Sequence, residues 1–159
     1  VAVDFGVKHS ILRRFAELEC EVMVVPAHTS AAEIQALQPD GGFLSNGPGD
    51  PEPCDYAIQM IRTMLAWRGP IFGICLGHQI LWQCLGAQVK KSAQPIHGQS
   101  IRYDLSSFKL SSNALVQRYN SLSVYISENK VSKDIDAIFS NDELICSKSN
   151  QFLTYQFLF

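Results

Sequence analysis

The stretch PIFGICLGHQIL, residues 70–81, places a cysteine between two glycines at the point where one apolar run meets another. The first run has the β-branched and aromatic residues typical of a strand, and the residues after the cysteine have helical spacing. A strand that passes directly into a helix forces the residue between them into a strained backbone conformation, and small neighbours leave room for it. The pattern G-x-C-x-G therefore predicts a sharp strand-to-helix turn at Cys75.

This turn makes Cys75 a candidate nucleophile. Its position at a helix N-terminus predicts a stabilised thiolate, because the helix dipole and the free N–H groups favour negative charge. The N–H of Leu76 is placed to donate a hydrogen bond to an oxyanion. The alternative interpretation is that Cys75 is a small buried hydrophobic residue, and that Gly73 and Gly77 serve packing alone.

Strand-like and helix-like segments alternate along the first half of the chain. Strands are predicted at 1–5, 21–26, 41–46 and 70–75, and helices at 9–20, 30–37, 54–67 and 78–85. Ser30 and Glu33 have the spacing of a capping box at the start of the second helix. Such alternation predicts an α/β fold with a mostly parallel open sheet and helices on both faces, like a flavodoxin-type core.

Two glycine-rich stretches follow predicted strands, SNGPGDP at 45–51 and GICLG at 73–77. Because ligands of such sheets bind beyond the carboxyl ends of the strands, both stretches are expected to line one crevice. Gly47 and Gly49 let the first loop present backbone N–H groups to an anion or a tetrahedral intermediate. Taken alone, this loop is more typical of an ordinary turn before a helix that starts near Pro53.

The second half of the chain has little helical pattern. Its segments are short, alternating and strand-like: IRYDL (101–105), VQRYNSLSVYI (116–126), DAIFS (136–140), ELICS (143–147) and FLTYQFLF (152–159). We expect β-rich packing that continues or flanks the sheet within the same domain.

Composition excludes several classes of function. The 159 residues suffice for one domain, and the 47% hydrophobic and 18% charged residues are typical of a globular protein. A net charge of −2 without a basic cluster argues against nucleic acid as a partner. No apolar stretch approaches the roughly 20 residues needed to span a bilayer, so no membrane partner is expected.

The five cysteines are an odd number without paired spacing, which indicates reduced thiols and a cytoplasmic protein. An organelle stroma is the alternative if a transit segment has been removed upstream. The four histidines are scattered, so no metal site is predicted. Both ends of the chain, at Val1 and Phe159, lie inside apparent strands, and we expect 1–159 to be one domain truncated at both ends.

Several motifs carry a resemblance to a known family. LSNGPGDP (44–51), followed by PIFGICLGHQIL, resembles the class I (triad) glutamine amidotransferases. VDFGVKHSILR (3–13) is similar, within that family, to the small chain of carbamoyl-phosphate synthetase, which has a D-F-G-x-K opening. This likeness covers residues 1–91. After residue 95, IHGQS (96–100) and QRYNSLSV (117–124) are more similar to the anthranilate and aminodeoxychorismate synthase glutaminases, which carry M-H-G and R-Y-H-S-L stretches.

The resemblance implies that Cys75 attacks the side-chain amide of glutamine and releases ammonia through a glutamyl thioester. Gly47 and Leu76 would supply the oxyanion N–H groups. His78 adjoins the nucleophile on the same helix, and it is expected to be a packing or hydrogen-bonding residue rather than the base.

The resemblance also implies how glutamine is held. Gln79 would bind the substrate, and the main chain of Ser121 and Leu122 would grip its α-amino and carboxylate ends. Asn120 stands where both subfamilies have histidine, and this departure is expected to have a modest effect because the grip is mainly through backbone.

A larger departure lies at the end of the chain. The family takes its base and the acid that orients it from a Q-F-H-P-E stretch, where this sequence has YQFLF (155–159). Gln156 and Phe157 match, Leu158 stands where the histidine belongs, Phe159 stands at the proline, and the glutamate is beyond the end. Loss of an acid–base partner typically costs on the order of 10²–10⁴-fold in rate, so hydrolysis is expected to be impaired.

Three functions are therefore compared. The first is the glutaminase domain of a carbamoyl-phosphate synthetase small chain, which would feed ammonia to a synthetase large subunit for pyrimidine or arginine biosynthesis. It would need no cofactor in this domain, because ATP is used only by the partner. The second is a glutaminase of anthranilate or aminodeoxychorismate synthase, and the third is a non-catalytic domain that binds glutamine or a partner.

Overall fold

The computed structural model describes residues 1–51, 54–67 and 69–158. The strands are β1 Ala2–Asp4, β2 Val24–Pro26, β3 Gly42–Leu44, β4 Ile71–Ile74, β5 Gln88–Tyr103, β6 Ala114–Tyr125, β7 Asp136–Ser140, β8 Glu143–Lys148 and β9 Phe152–Tyr155. The helices are α1 His9–Glu17, α2 Ala31–Ala36, α3 Asp55–Ala66 and α4 Leu76–Cys84, with single 3₁₀ turns at Ser106–Phe108 and Glu128–Lys130.

The strands form one mixed sheet in the order β2-β1-β3-β4-β9-β8-β6-β5, and β7 also pairs with β8. The pairs from β2 to β9 are parallel, whereas β9-β8, β8-β6, β6-β5 and β7-β8 are antiparallel. The α/β fold class is confirmed, and the β-rich second half continues the sheet as expected. The parallel part comes from the alternating first half plus β9, the last strand of the chain.

Helices cover both faces of the parallel part. Successive strand residues point to opposite faces, so neighbours identify the two sides. Val3 and Leu44 pack in the core cluster that contains the buried residues of α2, α3 and α4. Ala2 and Phe43 pack on the opposite face, where Phe15 and other apolar residues of α1 cover them. The doubly covered sheet explains why the first strands have almost continuous apolar sequences.

The helices begin and end close to the predicted positions. Ser30 and Glu33 form the predicted capping box, in which each side chain bonds the other residue's backbone N–H. In α3 one face is buried and Leu65 beside it is partly buried; the buried residues are Ala57, Met60, Ile61 and Met64. Pro53 lies outside the described residues, and α3 begins at Asp55. No helix within the described ranges is long and apolar enough to cross a membrane.

The long edge strand β5 was not predicted over most of its length. It begins at Gln88 and contains Pro95 and Gly98, which interrupt the alternating pattern. The pairing with β6 shifts register between Lys91 and Ile96, so Pro95 sits in a bulge where no ladder hydrogen bond is needed. A β-bulge on an edge strand accommodates the residues that would otherwise argue against a strand.

Candidate active site

Cys75 forms the predicted turn between β4 and α4. Its backbone has φ 51° and ψ −106°, a conformation that non-glycine residues rarely adopt. The Cys75 N–H donates to the Tyr155 carbonyl at 2.7 Å, which ties the turn to β9. The strained conformation is thus held by the sheet on one side and by the helix on the other.

Gly77 lets the first turn of α4 lie directly against β3. A Cβ atom at this position would be 2.2 Å from the Leu44 carbonyl oxygen, which is closer than real atoms approach. The Gly77 N–H donates to the Ser45 carbonyl at 3.0 Å. The two glycine-rich stretches therefore lie against each other, and the crevice that they are expected to line stays a prediction.

The predicted oxyanion donors lie side by side next to Cys75. A Cβ atom on Gly47 would be 3.0 Å from Leu76 Cδ2 and 2.0 Å from the Phe5 carbonyl oxygen, so only glycine fits there. The Leu76 N–H hydrogen-bonds the Cys75 sulfur and lowers the pKa of its thiol. This arrangement places one backbone N–H on the Cys75 sulfur and packs the Gly47 loop against the residue that donates it.

Ser45 and Asn46, which the sequence reasoning missed, fix the loop that carries Gly47. Ser45 Oγ accepts from the Phe5 N–H at 2.9 Å. Asn46 accepts from the Lys8 N–H at 3.2 Å and donates to the Gly6 carbonyl at 3.2 Å. The loop after β3 is therefore bound to the loop after β1. In the sequence, the two polar residues that begin SNGPGDP were the feature that could have predicted this link.

The predicted thiolate at Cys75 is wrong for the protein in this state. Burial raises the pKa of the Cys75 thiol above its usual value, and this effect outweighs the Leu76 N–H and the charges of Lys8 and Arg118, which lower it. The free energy needed to remove the thiolate from water is larger than the stabilisation that the short helix and the two distant cations provide. The thiol is strained and partly exposed, but it is neutral at pH 7.

Gln79, a predicted substrate-binding residue, links the nucleophile to β6. Its side-chain amide donates to the Leu122 carbonyl at 2.9 Å and to Gln156 Oε1 at 3.2 Å. Gln156 in turn places its amide nitrogen 3.9 Å from the Cys75 sulfur. The structure thus brings Cys75, Gln79 and Leu122 into one site, together with Gln156.

Asn120 is buried in the sheet and supports the grip segment, which is Ser121 and Leu122, the residues predicted to hold glutamine. Its amide donates to the Leu122 carbonyl at 3.1 Å and to Ser123 Oγ at 2.9 Å. Its oxygen accepts from Arg118 Nε at 3.0 Å. Ser121, which lies between Asn120 and Leu122 in the chain, is exposed.

Arg118 and Glu143 form a buried ion pair that the sequence reasoning missed. Their Nη2 and Oε2 atoms are 2.9 Å apart, and the side chains are 4% and 6% exposed. Burial alone would raise the pKa of Glu143, but hydrogen bonds outweigh it and hold that pKa below its usual value; the donors are Ser92, Arg118, Ser123 and Tyr125. In the sequence, Arg118 and Asn120 alternate in steps of two with the apolar Val116. This spacing on one face of β6 could have predicted that both polar side chains are buried.

His78 is a structural residue, as predicted. Its Nε2 lies 3.1 Å from the Leu144 carbonyl and its Nδ1 lies 2.9 Å from Thr154 Oγ1. A carbonyl only accepts, so Nε2 carries the hydrogen and Nδ1 accepts from Thr154. Thr154 accepts in turn from Ser147, which accepts from the Trp82 indole N–H. Burial lowers the pKa of His78 to about 3, so the ring is neutral.

Leu158 lies where the family's base is expected. Its backbone forms an isolated antiparallel bridge with Gln117, with N···O distances of 2.7 and 2.9 Å. Leu158 packs against the same apolar cluster as Cys75, around Ala2 and Ile74. Position 158 therefore shares an apolar cluster with the nucleophile, and a hydrocarbon side chain occupies it. Phe159 lies outside the described residues.

Two cavities flank the sheet. The larger, of about 890 Å³, lies at the amino ends of β1, β3 and β4, at the opposite edge from Cys75. The smaller, of about 340 Å³, lies between α1 and β6, and its lining includes Lys8, Ile74, Tyr119 and Leu158. In residues 1–51, 54–67 and 69–158, no group of three or more histidine, cysteine or acidic side chains is placed to hold a metal ion.

The chain is similar to known proteins in sequence. A curated relative, the carbamoyl phosphate synthase small chain of Pasteurella multocida (strain Pm70), is 52% identical over 136 residues, which is 86% of this chain and 32% of that protein. The small chain of Haemophilus ducreyi (strain 35000HP / ATCC 700724) is 62% identical over 98 residues, 62% of this chain and 25% of that protein. The chain thus spans a third or less of the length of these relatives.

Solved structures share the fold. A glutamine amidotransferase from Thermotoga maritima superposes with a TM-score of 0.70 at 17% identity and covers 98% of this chain and 73% of its own. A glutamine amido transferase from Methylobacillus flagellatus superposes with a TM-score of 0.76 at 18% identity. The superposition covers 99% of this chain and 68% of that chain. The sequence profile of the family "Glutamine amidotransferase class-I" matches residues 1–157, which confirms the resemblance seen in the motifs. The chain belongs to the class-I glutamine amidotransferase family.

Proposed function

We propose that this chain is the glutaminase domain of a carbamoyl-phosphate synthase small chain, which hydrolyses glutamine to glutamate and ammonia. The observation that carries the proposal is the turn at Cys75, where a strained cysteine receives the Leu76 N–H and the Gly47 loop packs against the Leu76 side chain. The names of the relatives support the choice of synthase, because several carry that small-chain name at more than half identity over the matched residues.

In the proposed reaction, the Cys75 sulfur attacks the side-chain amide carbon of glutamine. The oxyanion of the tetrahedral intermediate faces the N–H groups of Leu76 and Gly47. Collapse of the intermediate breaks the C–N bond, ammonia leaves with the proton of the thiol, and a glutamyl thioester remains. Water then cleaves the thioester, releases glutamate and restores the thiol.

Glutamine is held, in this proposal, by Gln79 and by the main chain of Ser121 and Leu122. The support is that the Gln79 amide already reaches the Leu122 carbonyl and, through Gln156, the neighbourhood of the sulfur. Asn120, where relatives of two subfamilies have histidine, supports the same carbonyl.

We also propose that hydrolysis by this chain is slow. A neutral thiol needs a base, both to become nucleophilic and to activate the water that cleaves the thioester. His78 is occupied on both ring nitrogens, and Leu158 supplies no proton acceptor.

The partner, in this proposal, is a synthetase large subunit that receives the ammonia and uses ATP to make carbamoyl phosphate for pyrimidine or arginine biosynthesis. The glutaminase step needs no cofactor in this domain, because the nucleophile and the oxyanion donors come from the chain itself. The free state of all five cysteines supports a reducing, cytoplasmic location.

The proposal is tested by incubating the chain with a thiol-reactive glutamine analogue and mapping the adduct by mass spectrometry. We expect labelling of Cys75 in preference to the other four cysteines, and protection by excess glutamine. Cys75→Ser is the control for background. Labelling spread over the cysteines according to exposure, with Cys20 first, would contradict the proposal.

Glutamate release in the presence of a synthetase large subunit then distinguishes a glutaminase from a second candidate, which belongs to another class of function. The second candidate is a non-catalytic glutamine-binding domain, and the hydrocarbon side chain of Leu158 is the observation that favours it. Selective labelling with slow release supports an impaired glutaminase. Selective labelling with release no faster than that of Cys75→Ser supports the binding domain.

A further inference from the structure

The buried ion pair of Arg118 and Glu143 lies directly behind the segment proposed to hold glutamine. Both side chains are almost fully buried, and neither touches Cys75 in the hydrogen-bond network. Two charges are costly to remove from water, and apolar residues of similar volume are often as stable in their place. Stability alone therefore gives little reason for an ion pair here, and its connections indicate another role.

One branch of the network runs from Arg118 to the Leu122 carbonyl. Arg118 Nε donates to Asn120 Oδ1 at 3.0 Å, which fixes the orientation of the Asn120 amide. The amide nitrogen is thereby directed to the Leu122 carbonyl, at 3.1 Å. Gln79 donates to the same carbonyl at 2.9 Å. Two donors on one carbonyl oxygen use both of its lone pairs and hold the peptide plane in one orientation.

The other branch runs from Glu143 to the edge strand. Its second oxygen accepts from Ser92 Oγ and from Tyr125 Oη, the latter at 3.0 Å. Ser92 is the first residue of the bulge in β5, and its hydroxyl also accepts from the Gln94 N–H at 3.1 Å. The carboxylate therefore anchors the bulge to the centre of the sheet.

The bulge frees the backbone of one residue on β6. Lys91 pairs with Leu122 and Ile96 pairs with Asn120, so Ser121 between them has no partner in the register of β5. Ser121 is also exposed, so a ligand can approach its backbone from solvent. The ion pair thus supports both neighbours of this gap, Leu122 through Arg118 and the bulge through Glu143.

We propose that Arg118 and Glu143 are positioning residues for glutamine: they orient the Leu122 carbonyl and keep open the backbone gap at Ser121, without touching the substrate. This inference rests on the proposed function, because it assigns a task to the segment that is proposed to grip the α-amino and carboxylate groups. Neither residue takes part in bond making at Cys75.

Two labelling reagents separate positioning from chemistry. The thiol-reactive glutamine analogue needs the backbone grip, whereas iodoacetamide needs only the Cys75 thiol. Two variants are compared with wild type: Glu143→Gln removes the charge, and Arg118→Lys keeps the ion pair but loses the fork that reaches Asn120. Tyr103→Phe is the matched control, because it removes the third Arg118 hydrogen bond, on the side that does not lead to Leu122. Circular dichroism and the melting temperature verify folding in each variant.

We expect both variants to raise the analogue concentration for half-maximal labelling by about ten-fold or more, as misplaced binding groups do. Arg118→Lys keeps the cation that lowers the Cys75 pKa, so its rate with iodoacetamide should stay within about two-fold of wild type, and so should the behaviour of Tyr103→Phe with both reagents. If Glu143→Gln does not fold, Arg118→Lys carries the test. Unchanged half-maximal concentrations in a folded variant would overturn the inference, and so would an equal loss with both reagents. Absence of selective labelling in wild type would instead overturn the proposed function.

Discussion

Cys75 combines a strained backbone with a thiol whose pKa burial raises, so the features that present the sulfur do not by themselves ionise it. The geometry is local, because the turn between β4 and α4 requires it. The charge state depends on everything around the sulfur, including Lys8 and Arg118, which are distant in sequence. At the scale of single residues, geometry and ionisation are therefore set by different parts of the chain.

The pH dependence of alkylation tests this balance. We expect the iodoacetamide rate at Cys75 to keep rising above pH 9, because the thiol pKa is raised from that value. Lys8→Met should move the profile to still higher pH, since the Lys8 charge lowers the pKa. Lys90→Met, which removes a cation that lies over the Tyr125 ring, is the control and should leave the profile in place. A half-maximal rate near pH 7 in wild type would contradict the assignment of a neutral thiol.

His78 predicts a pH dependence of stability. Its pKa is about 3 in the folded chain against 6.5 when exposed, so the unfolded state binds one more proton between these values. Its contribution to stability is therefore complete above pH 6.5 and is lost as the pH falls towards 3. The free energy of unfolding should fall with a slope of up to about 1.4 kcal/mol per pH unit from this residue alone.

The measurement compares urea unfolding of wild type and His78→Gln at several pH values. Glutamine can still donate to the Leu144 carbonyl and accept from Thr154, but it does not titrate. The difference between the two curves should shrink on acidification. Parallel curves from pH 7 to pH 4 would show that His78 has the same pKa in the folded and the unfolded chain, which would contradict the lowered pKa.

At the scale of elements, the site depends on how closely α4 approaches β3. Gly77 has no room for a Cβ atom, because the atom would meet backbone rather than a flexible side chain. A helix displaced by even a fraction of an ångström would carry the Leu76 N–H away from Cys75. The short glycine spacing around the turn is therefore a requirement of packing as well as of chemistry.

Gly77→Ala should destabilise the fold by about 1–3 kcal/mol or more, the usual cost of overpacking. Gly69→Ala is the matched control, since nothing lies within 4 Å of a Cβ atom there and its φ is ordinary. The control should change stability by less than about 1 kcal/mol. Thermal unfolding followed by circular dichroism measures both variants. Equal melting temperatures would mean that α4 moves away from β3 without cost.

At the scale of the whole molecule, the site joins segments that lie far apart in the chain. The parallel pair β4-β9 brings Gln156 to Cys75, and β6 brings the Leu122 carbonyl to Gln79. The bridge to Gln117 holds Leu158 at the apolar cluster against which Cys75 also packs. A single substitution there tests whether the missing base limits turnover.

Leu158→His should increase glutamate release by about 10²-fold, which is the lower end of the 10²–10⁴-fold range typical of a general base. The gain is expected at the lower end, because no acidic residue is identified to orient the imidazole. Leu153→His places the same group elsewhere along β9 and should leave the rate unchanged. Release is measured by coupled oxidation of glutamate. No difference between the two variants would show that another step limits the reaction.

Much of the fold was readable because its causes are local. The apolar runs, the capping box at Ser30 and the glycines around Cys75 each act within a few residues, so the strand–helix alternation and the strained turn followed from sequence. The edge strand β5 was missed, because Pro95 and Gly98 contradict a strand unless a bulge accommodates them. Such a bulge depends on the partner strand, which a local pattern does not contain.

By itself, the sequence determined the α/β class, the turn that presents Cys75, the meeting of the two glycine-rich loops and the structural role of His78. Only the tertiary structure decided the neutral state of the thiol, the buried pair of Arg118 and Glu143, and the register gap at Ser121. The reason is physical. Backbone conformation follows from neighbours in the chain, whereas desolvation and charge interactions follow from neighbours in space.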